Sequence, residues 1–159
     1  MFNLLKQKDM LVHHPYQSFS ATVERFIYEA SIDSKVEAIK MTLYRTDDSG
    51  QIIDTLIQAA ENGKQVVCVV ELKARFEEEK NIRWAQKLES VGIHVIYGIL
   101  GAKTHTKMAL VVRREGGQLQ SYVHIGTGNY NSTTAKIYED LSYFTSKLSI
   151  CVGVMEVFN

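Results

Sequence analysis

At 159 residues, 45% hydrophobic and 23% charged, the chain has the size and composition of one soluble domain with its own core, too short for a second full domain. Eighteen Lys plus Arg balance eighteen Asp plus Glu, which excludes a global field that recruits nucleic acid or an anionic membrane; any anion site has to be a local cluster. Two cysteines, Cys68 and Cys151, exclude a disulfide framework, and no long apolar run or charged-then-apolar leader marks a membrane span or secretory signal, so buried thiols in the cytoplasm are expected.

Met1 to Val12 is amphipathic without a clear boundary and leads into His13-His14-Pro15-Tyr16, where Pro15 holds its neighbour out of the helical region. Ser18 or Ser20 caps a helix with Val23, Phe26, Ile27 and Ala30 on one face. Residues 36–45 read as a strand ending in Arg45, and Asp47-Asp48-Ser49-Gly50 as a turn. A helix follows with Ile53, Leu56, Ile57 and Ala60 inward, stopped by Asn62-Gly63.

Residues 65–72 form a continuous apolar strand of the kind buried on both faces, running out at Lys73-Ala74-Arg75. Glu77-Glu78-Glu79 opens another helix at the positive end of its dipole, with Ile82, Ala85, Leu88 and Val91 inside and Gly92 as its stop. Residues 93–97 make a short strand, and a loop over 98–104 delivers His105. This alternation predicts an α/β domain with a largely parallel sheet flanked by helices. Beyond Val112 the run Arg113-Arg114-Glu115-Gly116-Gly117-Gln118 is a hairpin signal returning into residues 119–125, which makes the sheet mixed. A loop at 126–131, a short helix over 133–139 and a last strand at 141–145 complete the order, with no internal repeat.

Chemistry concentrates in Lys103-Thr104-His105-Thr106-Lys107, which turns apolar from Met108 onward like a buried strand emerging at a site. Strand alternation puts His105 and Lys107 on one face, an imidazole beside an ammonium. A neutral imidazole attacks phosphorus well and a neighbouring cation offsets charge on phosphoryl oxygens, so the pair suits phosphoryl transfer; a strand-entrance histidine beside a solvated lysine is the plain alternative.

Arg45 and Arg75 both end strands where ligands gather in open α/β sheets, placed to hold phosphate oxygens or to pair with the acidic runs beside them. Gly126-Thr127-Gly128-Asn129 follows a strand, so its amides offer an anion nest and Asn129 a partner for an imidazole or a phosphate, unless it is an ordinary turn. Tyr138 is placed either to stack on a base or to fill the core. His124 reads as a satisfied structural histidine, as do His13 and His14, which lack partners at a metal spacing.

Taken together, His13-His14-Pro15-Tyr16-Gln17-Ser18-Phe19, Lys40-Met41-Thr42-Leu43-Tyr44-Arg45, Glu71-Leu72-Lys73-Ala74-Arg75-Phe76-Glu77-Glu78, Lys103-Thr104-His105-Thr106-Lys107 and His124-Ile125-Gly126-Thr127-Gly128-Asn129-Tyr130-Asn131 closely resemble the motifs of bacterial polyphosphate kinase, in that family's order and spacing. The resemblance implies a phospholipase-D-like catalytic domain spanning residues 1–159. It implies that His105 is phosphorylated by ATP and passes the phosphate reversibly to polyphosphate. Arg45 and Arg75 match the family's magnesium-site positions; a guanidinium cannot ligate a cation, so they are expected to hold phosphate oxygens around Mg2+. Tyr138 matches a nucleotide-contacting tyrosine, and Lys107, Gly126, Thr127 and Asn129 match the phospholipase-D-type signature. The aspartate that the broader superfamily carries shortly after the lysine is absent, Val111 and Val112 standing there, which argues against a phosphodiesterase.

Members of that family are much longer, with N-terminal domains, one contributing to ATP binding, and a second phospholipase-D-like domain. The chain is therefore expected to be one piece of a multidomain, homo-oligomeric enzyme, cytoplasmic or peripheral to the inner membrane, and a poor catalyst by itself. Two alternatives stand beside it: a phospholipase-D-like nuclease completed by homodimerisation, and a module that binds nucleotide or polyphosphate without turnover.

Overall fold

The computed structural model describes residues 1–46, 50–72, 78–98 and 103–159. The turn expected at Asp47-Asp48-Ser49, the strand end at Lys73-Ala74-Arg75 with Phe76 and Glu77, and residues 99–102 lie outside the described residues, and Arg75 with them.

Among the described residues seven strands make one mixed sheet. They are β1 (Met10–His14), β2 (Val36–Leu43), β3 (Gln65–Val70), β4 (His94–Tyr97), β5 (Lys107–Glu115), β6 (Gln118–Gly126) and β7 (Asp140–Thr145), in the order β1-β7-β6-β5-β2-β3-β4. Only β2-β3-β4 run parallel, joined by the helices the sequence predicts; β2-β5, β5-β6, β6-β7 and β7-β1 are antiparallel. The expectation of a largely parallel sheet therefore holds for one half. Residues 113–118 turn β5 straight back into β6, and antiparallel pairing needs no crossover helix.

Among the described residues five helices flank the sheet: α1 (Phe2–Leu5), α2 (Arg25–Ile32, preceded by a π-helical turn at Ser20–Glu24), α3 (Gln51–Glu61), α4 (Glu78–Ser90) and α5 (Leu148–Val157). The Ser18 hydroxyl receives the Ala21 amide at 3.2 Å, which makes Ser18 the cap anticipated. One face of the sheet packs on α1 to α4 around Phe26, Ile39, Met41, Leu56 and Phe144, all within 0% exposure. Edge-to-face contacts join Phe26 to Phe144 at 5.5 Å, and full burial of each such ring stabilises by about 1.5–3 kcal/mol. The other face, led by Leu110 and Val123, is covered by α5 through Cys151, Val154 and Phe158.

Strand polarity sets the position of the site. Strands β1, β2, β3, β4 and β6 end, and β5 and β7 begin, at the same edge of the sheet. His14, Tyr44, Glu71, Lys107, Gly126 and Asp140 all stand along it. Among the described residues no helix is long and apolar enough to cross a membrane.

Candidate active site

β5 begins at Lys107, so His105 lies in the extended lead-in rather than inside the strand. The start of β5 is pinned by Thr42 of β2, whose hydroxyl donates to the Thr106 carbonyl at 2.7 Å and accepts the Met108 amide at 3.0 Å. Lys107 is thereby fixed between two anchored residues and buried to 5% exposure, while His105 is exposed. The Lys107 ammonium donates to the His105 carbonyl at 2.6 Å and stands 3.0 and 3.1 Å from the two ring nitrogens. The Tyr44 ring faces both, edge-on to His105 at 4.9 Å and 5.2 Å from the ammonium, with the Arg45 guanidinium 5.7 Å from its centroid.

This surrounding keeps the imidazole neutral. Burial lowers the affinity of His105 for a proton, and the charges of Lys107, Arg45 and Lys103 lower it further. Burial likewise depresses Lys107, and Arg45 adds to that, whereas Asp140 acts in the opposite sense. A neutral ring nitrogen among three cations is arranged to meet a polyanion.

The lead-in is held from the other side by Glu71, which follows β3 and is 4% exposed. Its carboxylate accepts the Thr104 amide at 2.8 Å. Asn81 of α4 donates to the carbonyls of Tyr44 and Glu71 at 2.9 and 2.8 Å, which ties the ends of β2 and β3 together. The buried stripe of α4 is therefore Asn81, Ala85 and Leu88 with Trp84 against the core; Ile82 and Val91, expected inside, are 43% and 37% exposed.

Beyond β6 the glycine loop partly satisfies itself. The Thr127 amide goes to the Leu141 carbonyl at 3.0 Å and the Asn131 amide to the Asn129 carbonyl at 2.8 Å, so the amides left for an anion are fewer than a full nest. The Thr127 hydroxyl donates to Asp140 at 2.7 Å and receives the Leu141 amide at 2.9 Å. Gly128 lies so close to Asp140 that a Cβ would meet its carboxylate oxygen at 2.4 Å, which excludes any larger residue without a shift. Among the described residues the buried Asn129 side-chain oxygen has no hydrogen-bond partner, a site for an incoming donor. The short helix expected at 133–139 is a single 3-10 turn, Thr134–Lys136, and Tyr138 stands beyond it with 62% of its surface exposed.

The structure thus brings His105, Lys107 and Arg45 around Tyr44, and places Gly126, Thr127, Asn129 and Tyr138 along the same edge. Sequence reading missed Tyr44, Thr42, Glu71 and Asn81. A threonine inside an apolar strand and an acid directly after one were the available signals. His13 pairs with Glu139 at 3.1 Å, and His124 is buried. Among the described residues no group of three or more His, Cys, Asp or Glu stands together, and Lys107, Arg45 and Lys103 place positive charge near His105.

The mixed seven-stranded sheet flanked by helices belongs to the phospholipase-D fold class. The chain matches Nuc from Salmonella typhimurium, a phospholipase D family member, with a TM-score of 0.68 over 94% of this chain and 90% of that one; 15% identity carries the fold alone. Sequence narrows the class. The family model of polyphosphate kinase C-terminal domain 1 matches residues 1–159. The polyphosphate kinases of Thermosynechococcus vestitus and Mycolicibacterium gilvum are 58% and 55% identical over the whole chain, which spans 22% of their length. The polyphosphate kinase structure from Porphyromonas gingivalis matches with a TM-score of 0.82 at 38% identity, over 97% of this chain and 26% of that one. The chain belongs to the polyphosphate kinase family.

Proposed function

We propose that this chain is the phosphoryl-accepting unit of a longer, multidomain polyphosphate kinase, with His105 as nucleophile. A neutral ring nitrogen of His105 attacks the terminal phosphorus of ATP; the N–P bond forms as the bond to the bridging oxygen breaks, and ADP leaves with that electron pair. A terminal oxygen of polyphosphate then attacks the phosphohistidine, releasing the imidazole, and the sequence runs in either direction. As phosphate arrives, the Lys107 ammonium turns from the one unprotonated ring nitrogen to phosphoryl oxygens, which frees that nitrogen. Arg45 and Arg75 act on the same oxygens, Asn129 and the Gly126-Thr127 backbone border them, and Tyr138 packs on the nucleotide. Mg2+ bound with ATP would supply neutralisation of phosphate charge, and Arg45 and Arg75 would hold the phosphate oxygens around it.

One observation carries this reading: an ammonium within 3.0–3.1 Å of both nitrogens of a solvent-reachable imidazole whose pKa is lowered by partial desolvation and three cations. Because the chain spans 22% of its relatives, the isolated chain is expected to turn over slowly, with ATP positioned by segments outside it. The test is incubation of the full-length enzyme and of this chain with Mg2+ and γ-labelled ATP. Acid-labile, alkali-stable label on the full-length protein that disappears in His105→Ala is expected; equal label on both overturns the assignment of His105.

A further inference from the structure

A second polar cluster lies behind this edge, inside the sheet and outside the chemistry assigned to His105. His14 at the end of β1, Ser142 on β7, His124 on β6 and Tyr130 in the glycine loop are 2%, 4%, 1% and 2% exposed. They form one unbroken line. The His14 Nδ1 is 2.8 Å from the Gln17 carbonyl and its Nε2 is 3.0 Å from the Ser142 hydroxyl. That hydroxyl is 2.9 Å from the His124 Nε2, whose Nδ1 is 2.8 Å from the Tyr130 hydroxyl.

The donors of this line follow from its fixed end. A backbone carbonyl only accepts, so the His14 Nδ1 carries a proton. In an imidazole with one ring proton, that proton on Nδ1 leaves Nε2 an acceptor. Ser142 has one proton and gives it to that nitrogen, so the Ser142 oxygen takes a hydrogen bond from the His124 Nε2–H. The His124 Nδ1 is then the acceptor for Tyr130 O–H. Any other order leaves the buried phenol proton without one of these acceptors. Phe19 and Phe144 close over the two imidazoles at 5.5 and 4.7 Å, shutting water out. Burial pulls His124 down to about 3 and raises Tyr130 well above its ordinary range, so the His124 ring stays neutral and the phenol stays a donor.

We propose that this one-way hydrogen-bond line is a positioning device: it suspends the Gly126–Asn131 loop from the backbone of Gln17 through Tyr130, and so sets where Asn129 stands beside the Lys107 edge. Gly126 pairs with Lys107 across β5 and β6, so the loop departs directly from the site. An apolar cluster would fill the same space; a directed polar line additionally fixes one register of the loop. The functional value of that placement rests on the phosphate-binding role given above to Asn129, whereas the device itself is measured without nucleotide.

The test is nitrogen NMR of the histidine-labelled chain at pH 7, with amide exchange of the loop. His14 is expected as the Nδ1–H tautomer, the rarer form in water, and His124 as the Nε2–H tautomer. Tyr130→Phe is expected to speed exchange of Gly128 and Asn129 by about tenfold or more, the scale of one lost hydrogen bond. Ile27→Val, a core substitution away from the line, leaves that exchange unchanged. Ser142→Ala breaks the line in the middle and gives the same loop signature; should it fail to fold, Tyr130→Phe decides alone. His14 as the Nε2–H form, or loop exchange unmoved by Tyr130→Phe, overturns the proposal. A failed phosphate-labelling experiment would leave both readouts intact.

Discussion

His105 is held neutral by its surroundings, and that has a pH signature. Burial and the cations Lys107, Arg45 and Lys103 lower its pKa, so the unprotonated ring persists to lower pH than the ordinary histidine value of 6.5. Its acylation by diethyl pyrocarbonate is expected to rise with a midpoint below 6.5. Lys107→Gln moves that midpoint upward without restoring the ordinary value, because burial is the larger cause; a midpoint unchanged by Lys107→Gln would contradict the electrostatic account. At this scale the closeness of His105 to Lys107 was legible in their two-residue spacing, which an extended lead-in keeps even though β5 begins only at Lys107. Tyr44 was not, because an aromatic residue closing an apolar strand looks the same whether it packs in the core or faces a site.

Asn81 shows how a helix contributes to the edge without touching it. Its amide bridges the carbonyls of Tyr44 and Glu71, fixing the ends of two parallel strands from the first turns of α4. Asn81→Ala leaves both carbonyls short of a donor and is expected to destabilise the fold by about 2–3 kcal/mol, read from denaturant unfolding. A loss below about 0.5 kcal/mol would mean that water replaces the amide. Helical periodicity located α4 but counted Ile82 and Val91 among its buried residues, because a polar Asn81 facing the sheet inverts the usual pattern. Two other elements escaped the reading. β1 holds two histidines where alternation should be apolar, and α5 is so uniformly apolar that no polar face gives a period, with Leu148 77% and Val152 44% exposed.

The whole molecule responds to acid through groups spread across the sheet. His124 titrates at 6.5 when unfolded and at about 3 when folded, so below pH 6.5 the unfolded chain takes up a proton that the native state refuses. Stability is therefore lost as pH falls from 6.5 towards 3, by about 2 kcal/mol at pH 5 from this group. Asp9, hydrogen-bonded by Lys147, Thr145 and Tyr143, titrates at about 2. Glu115 is pushed up by burial but brought to about 2 by Lys6, Tyr122 and Arg113. Both carboxylates stabilise the fold above the ordinary carboxylate range, and that contribution fades as pH falls from about 4 to 2. The urea midpoint should fall between pH 7 and 5, and His124→Gln should be less stable at pH 7 yet flatter over that interval. An equal slope in both proteins would remove His124 from the account. The mixed sheet itself was partly legible at this scale. Short crossovers announce β2-β3-β4, but no local signal says that β5 inserts beside β2 rather than beside β4.

Because Met10 pairs with Phe144, the first strand waits for the last one. During synthesis the parallel half, β2-β3-β4, is complete long before β7 leaves the ribosome, while β1 and the free margin of β6 stay open to wrong partners. The line from His14 to Tyr130 crosses that same seam, so it forms only when β7 arrives between β1 and β6. The glycine loop consequently takes its final position in the closing step of folding, and a nascent chain stalled before Ser142 would carry His105 and Lys107 beside a loop not yet anchored.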